Sequence, residues 1–208
     1  MQKTTELTKT EINALVQESL DKAMSYEAYR QLMGHHVENE TSTGLTQSAN
    51  LSQYTLLNQS RMKRLDKTTK IPEEVVQKFQ NFAGNHDWLV ITESWCGDAA
   101  QSMSAMNILA GLASGINFKV VLRDENPELM NAFLTNGTMS IPKLVVFDRD
   151  RQEVVADWGP RPSIATAMVE AFKKEYGQLT PEFKKDLQIW YNKDKGENII
   201  EDLTRLID

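Results

Sequence analysis

The chain has one cysteine, Cys96, in 208 residues. No intrachain disulfide can form, so a disulfide-stapled secreted domain is excluded, as is a zinc site built on several thiolates. Histidine is scarce too, with three residues, His35, His36 and His86. No ligand spacing links them to Cys96, so the sequence suggests no metal and no cofactor. No stretch approaches the roughly 18 consecutive apolar residues of a membrane-spanning helix, so no membrane partner is expected. A basic surplus is absent: the net charge is −6, whereas a nucleic-acid binder usually carries a basic patch. The densest basic groups, Arg61 to Arg64 and Lys184 to Lys185, fall in helix-like segments and read as solvated helix faces. The glycines form no phosphate loop. No Ser–His–Asp or Cys–His pairing supports hydrolase chemistry. The opening stretch, Met1 to Thr10, is polar with no apolar core, which predicts no secretory leader and a cytoplasmic location.

What is present begins with helices. Residues 11 to 37 place apolar side chains at helical spacing, among them Ile12, Leu15, Val16, Leu20, Tyr26, Tyr29 and Met33, with Thr10 as N-cap. A second helix is predicted from Leu51 to Leu65, with Leu51, Tyr54, Leu57, Met62 and Leu65 inward. A third begins at Ile71-Pro72 and stops at Gly84. The texture then changes. Trp88 to Thr92, Asn117 to Leu122 and Lys143 to Phe147 read as buried strands, and Glu153 to Trp158 closes a hairpin with the last of them. Helices are predicted at Gly97 to Ala113, Pro127 to Leu134 and Pro162 to Tyr176. The early strands, joined by helical crossovers, require parallel pairing, and the hairpin adds an antiparallel piece. The result is a mixed sheet flanked by helices, an α/β class. The tail, Pro181 to Asp208, suggests two helices broken at Gly196. Leu187, Ile189, Trp190, Ile199, Ile200, Leu203 and Leu206 there need burial against the main body, the first helices or another subunit.

Trp95-Cys96-Gly97-Asp98-Ala99 follows the first buried strand and opens a helix. Ser140-Ile141-Pro142 comes later, just before the hairpin. This arrangement resembles the thioredoxin superfamily, and within it the proteins with a Trp-Cys-Gly-Asp-Cys site. The resemblance covers roughly Asn85 to Tyr176. It implies a thioredoxin-like domain over residues 85–177, an N-terminal helical extension over 1–84 and a C-terminal helical extension over 178–208 packed on the same unit. It also implies a cis Ile141–Pro142 peptide that places a strand end against Cys96. The backbone of Ile141 would then be open to an extended peptide by strand addition.

The residues themselves carry a chemical argument. A cysteine at a helix N-terminus faces unpaired N–H groups and the positive end of the helix dipole, both of which favour the nucleophilic thiolate. Gly97 lets a substrate or backbone approach closely, and Trp95 can shield one side. Asp98 opposes the thiolate by its charge, and the sequence leaves open which effect prevails. Two departures from the family pattern matter. The second cysteine is replaced by Ala99, and whether that alanine is natural or introduced stays open. The buried carboxylate that classical relatives carry six residues before the first cysteine is Val90. Without a resolving thiol, release of a mixed disulfide must come from outside. In Asp157-Trp158-Gly159-Pro160-Arg161-Pro162, Trp158 reads as core and Arg161 as solvated, with a substrate groove as the alternative.

Two functions follow. The first is monothiol thiol–disulfide exchange or thiol redox homeostasis. Cys96 is then the catalytic nucleophile, Trp95, Gly97, Asp98, Ile141 and Pro142 bind substrate, and the partners are protein or low-molecular-weight thiols. It predicts a Cys96 pKa below about 8.5. The second is a redox-inactive binding module on the same fold. The helical extensions could also mediate homo-oligomerisation. A Cys96–Cys96 bridged dimer is a third and weaker idea.

Overall fold

The computed structural model describes residues 7–208. The reading of Met1 to Thr10 as a leader-free start therefore lies largely outside the described residues. Helix α1 spans Lys9–Lys22 and α2 spans Tyr26–Glu38. The single helix expected over 11 to 37 is thus two. A two-residue strand, β1 (Met24–Ser25), separates them and pairs antiparallel with Val120 and Lys119. The break has a local cause: Ser25 caps α2 by accepting from the Ala28 N–H. The first N-cap is Thr8 rather than Thr10, because Thr8 and Glu11 form a reciprocal capping box.

Helix α3 runs from Ala49 to Thr68 and α4 from Glu73 to Gln80. The α4 helix ends at Gln80 with Asn81 as its C-cap, short of the expected stop at Gly84. The buried face of α3 is Thr55, Asn58 and Met62, while Tyr54 and Leu57 point outward, 43 % and 44 % exposed. The expected apolar stripe is therefore rotated. A polar face buries because its partners wait on the strand-to-helix loop ahead of Cys96, as described below.

The remaining elements fall close to the predicted places. They are β2 (His86–Thr92), α5 (Gly97–Leu112), β3 (Ile116–Leu122), α6 (Pro127–Ala132), β4 (Lys143–Asp148), β5 (Glu153–Trp158), α7 (Ser163–Tyr176), α8 (Pro181–Asp194) and α9 (Glu197–Thr204). The five-stranded sheet has the order β1-β3-β2-β4-β5. β2 pairs parallel with β3 and antiparallel with β4, and β4 pairs antiparallel with β5. β2 and β4 lie inside the sheet, and Trp88, Leu89, Val90, Ile91, Leu144, Val145 and Val146 have no exposed surface. Such continuous apolar runs belong to strands covered on both faces.

Helix α5 is the hub: α3, α4 and α9 all pack on it. The C-terminal helices bury Leu187, Tyr191, Ile199, Ile200 and Leu203, whereas Ile189, expected inside, is 42 % exposed. Ile189 lies on the outer side of α8, away from Leu187 and Tyr191. No helix among the described residues is long and apolar enough to cross a membrane.

Candidate functional site around Cys96

β2 ends at Thr92, and a short loop delivers Cys96 to the N-cap position of α5. The loop is fixed by a buried polar network. Ser94 Oγ accepts the Thr43 N–H at 3.0 Å and meets the Thr55 hydroxyl at 2.8 Å. The Ser94 N–H donates to Thr43 Oγ1 at 2.7 Å, and Asn58 Nδ2 donates to the Ser94 carbonyl at 2.9 Å. All four of these residues are buried. Segment 42–43 and helix α3 are thereby tied to the backbone two residues ahead of the thiol. Each lost bond would leave a buried donor or acceptor unsatisfied. Sequence patterning missed this network, because buried Ser, Thr and Asn look like surface residues until their partners are known.

Cys96 is 7 % exposed. The Ala99 N–H donates to its sulfur at 3.4 Å, as expected of a helix N-cap. The thiol donates to the Ile141 carbonyl at 3.2 Å. Ile141–Pro142 is cis, as the resemblance implies. Ile141 is itself buried, and its carbonyl is taken by the thiol. Pro142 is buried as well, next to Lys143, whose ammonium pairs with Asp157 on β5. Gly159 lies against this strand end with φ +123°, and a Cβ there would sit 2.2 Å from the Pro142 carbonyl oxygen.

Asp98 is the second anchor. Its carboxylate receives Arg161 Nη2 at 2.7 Å and the Tyr191 hydroxyl at 3.0 Å. The side chain is only 13 % exposed. Burial raises its pKa from the usual carboxylate range, while Arg161 and Tyr191 pull it back. Two elements far apart in sequence, the turn after β5 and helix α8, thus converge on the residue two past Cys96. Arg161 is therefore not solvated, as the turn reading had it. It lines the site because Asp98 offers a buried counter-charge. Trp158 is half-buried, its indole N–H bonded to Asp202 on α9 at 3.3 Å.

The thiol pKa is pushed up to about 12, first by burial and then by the charge of Asp98. The Ala99 and Asp98 backbone N–H groups and Arg161 work in the other direction and do not prevail. The expectation of a pKa below the ordinary value fails for this reason: a helix terminus stabilises a thiolate by a fraction of what full desolvation costs it.

A cleft of about 410 Å³ opens at the sulfur. Leu51, Tyr54, Trp95 and Met139 give it an apolar side, and Arg161 and Lys184 a cationic one. Arg123 stacks over the Trp95 ring at 4.9 Å. Gly97, Asp98 and Ile141 complete the wall, while Pro142 lies behind it. Arg61, expected on a solvated face, is half-buried beside Gly97, and Lys184 is exposed at the rim.

A buried acid does exist near the thiol, though not at Val90. Glu93 has no exposed surface; its Oε1 accepts the Asp124 N–H at 2.9 Å, and its Oε2 has no partner among the described residues. Burial raises its pKa. It escaped sequence reading because it stands three residues, not six, before Cys96.

A family model described as thioredoxin matches residues 44–173. The chain belongs to the thioredoxin family. The matched segment takes in α3 and α4 together with the sheet and the cleft. Among solved structures, a protein of unknown function from Pseudomonas aeruginosa is similar at TM-score 0.63 and 17 % identity, over 97 % of each chain. An HIV epitope scaffold is similar at TM-score 0.62 and 16 % identity, over 91 % of this chain and 95 % of the other. At such identities the likeness is one of fold, and it extends over the helices at both ends of the chain. No curated protein matches the sequence.

Proposed function

We propose that this thioredoxin-family protein performs monothiol thiol–disulfide exchange through Cys96, from a resting state in which the thiol is protonated and latched. The observation that carries this reading is the placement of the sulfur. It caps α5, contacts the carbonyl before Pro142 and borders an open cleft. The reaction balances as two exchanges. Cys96 thiolate attacks a disulfide, one S–S bond forms and one breaks, and the departing thiolate takes up the proton that Cys96 gave to solvent. A second, external thiol then attacks the mixed disulfide, regenerates Cys96 and is itself oxidised, since Ala99 offers no resolving sulfur.

The raised pKa sets the tempo. Relative to an ordinary thiol, a pKa of about 12 leaves about 3000-fold less thiolate at neutral pH, which a roughly 40-fold gain in intrinsic nucleophilicity only partly offsets. The resting protein should therefore react about 100-fold more slowly than its unfolded chain. Turnover of a small mixed disulfide by an external thiol, with wild type compared to Cys96→Ala, tests the reading. Acceleration that vanishes in Cys96→Ala supports it, and equal rates reject it.

The burial of Cys96 favours a second reading, a redox-inactive binding module. That reading expects partner binding to survive Cys96→Ser unchanged and no exchange at all.

A further inference from the structure

The charges around the cleft do not balance. Asp98 is the one carboxylate on its wall, and it is already engaged by Arg161 Nη2 and Tyr191. Four cations stand around it: Arg123, already paired with Asp124 at 2.8 Å, and Arg161, Lys184 and Arg61. Arg161 keeps unused donors: its Nε is buried with no hydrogen-bond partner among the described residues. Lys184, at the rim, forms no ion pair among the described residues. Arg61, beside Gly97, bonds only to the Asn58 amide oxygen, at 3.2 Å, and pairs with no carboxylate among the described residues. This surplus of positive charge stands in a protein of net charge −6, so it is not a general property of the surface. A buried guanidinium N–H left without an acceptor costs free energy unless something supplies one. A guanidinium fork matches a carboxylate in two-point geometry, and an ammonium adds a point charge.

We propose that the Arg161–Lys184 side of the Cys96 cleft, backed by Arg61, is an anion subsite that receives the carboxylate of a small disulfide or thiol. The proposal rests on the exchange reading for its disulfide chemistry, but the anion subsite itself does not. Size points to a small molecule: the cleft volume of about 410 Å³ falls in the range of small-ligand sites, about 300–1,000 Å³. Cys96 as a residue is only 7 % exposed, which favours a slender disulfide over a folded protein surface. The apolar side, with Leu51, Tyr54, Trp95 and Met139, would hold the methylene chain between sulfur and carboxylate.

The test separates the two ideas. Cys96→Ser protein, in which the serine can still cap α5, is titrated with dithiodipropionate, a dianion, and with hydroxyethyl disulfide, which is neutral, following backbone amide shifts by NMR. The expected result is saturable binding of the dianion, about tenfold tighter than the neutral compound at low ionic strength and weakening with salt. Shifts should centre on Gly97, Arg161 and Lys184, and Lys184→Glu, at an exposed site, should abolish the preference. Equal affinities, or no saturable shift with the dianion, overturn the subsite. Exchange of wild-type Cys96 with the same two disulfides is then measured by mass. Dianion binding to the serine variant without any exchange in wild type sustains the subsite and rejects the exchange reading.

Discussion

The Cys96 thiol donates to the Ile141 carbonyl across 3.2 Å, so the sulfur points its proton at the residue that precedes Pro142. A thiolate cannot make that bond. Ionising Cys96 therefore costs a hydrogen bond as well as desolvation, and the backbone around Pro142 is part of the latch.

Asp98 is the charge most directly opposed to the thiolate after burial itself. Asp98→Asn removes it and keeps the shape and the Tyr191 contact. The variant should shift the pH profile of Cys96 alkylation downward and speed alkylation at neutral pH by about threefold, since a drop of about one pKa unit gives about tenfold more thiolate of about threefold lower nucleophilicity. A profile identical to wild type would show that Asp98 exerts no control over the sulfur.

The thiol also links stability to pH. Its folded pKa, about 12, lies above the unfolded value. Its contribution is therefore fully present below the unfolded pKa and is lost as pH rises from there through the folded value. Compared with Cys96→Ala, wild type should lose about 2 kcal/mol between about pH 8 and about pH 10.5. Urea unfolding of both proteins across that window measures the difference, and parallel curves would deny the raised pKa.

Glu93 behaves in the same sense at lower pH. Burial raises its carboxyl pKa, so the neutral form favours the fold and stability falls as pH rises through the titration. Glu93→Gln keeps an oxygen for the Asp124 N–H and removes the charge. It should be more stable than wild type at neutral pH, with the gap closing towards about pH 4. Chemical denaturation at both pH values reads the gap directly.

Ser94→Ala tests the network that sets the Cys96 loop. The variant strands the Thr43 N–H in the interior and takes from the Thr55 hydroxyl one of its two partners, the other being the Leu51 carbonyl at 3.0 Å. A loss of about 2–3 kcal/mol is expected, with faster hydrogen exchange at Cys96 and Gly97. A change within about 0.5 kcal/mol would mean that water replaces the serine without cost.

The strands and α5 were legible in the sequence because burial on both faces writes itself as unbroken apolar runs, as in Trp88 to Ile91 and Leu144 to Phe147. The Cys96 and Ile141-Pro142 pair was legible because its residue types are unusual together. Three things were not. The two-residue β1 is too short to show a period. The face of α3 was misplaced because Thr55 and Asn58 are buried for their hydrogen bonds with Ser94, which apolar periodicity cannot detect. Arg161 was misplaced because its partner, Asp98, lies 63 positions earlier in the chain, and charge pairing at that range leaves no local trace.

The most direct test of Cys96 as an exchange nucleophile is the intact mass of native protein incubated with a small neutral disulfide at mildly alkaline pH. The account predicts one mixed disulfide at Cys96, formed more slowly than in the unfolded chain, faster in Asp98→Asn, and removed by an added thiol. A native protein that stays unmodified while its unfolded chain reacts to completion would contradict it.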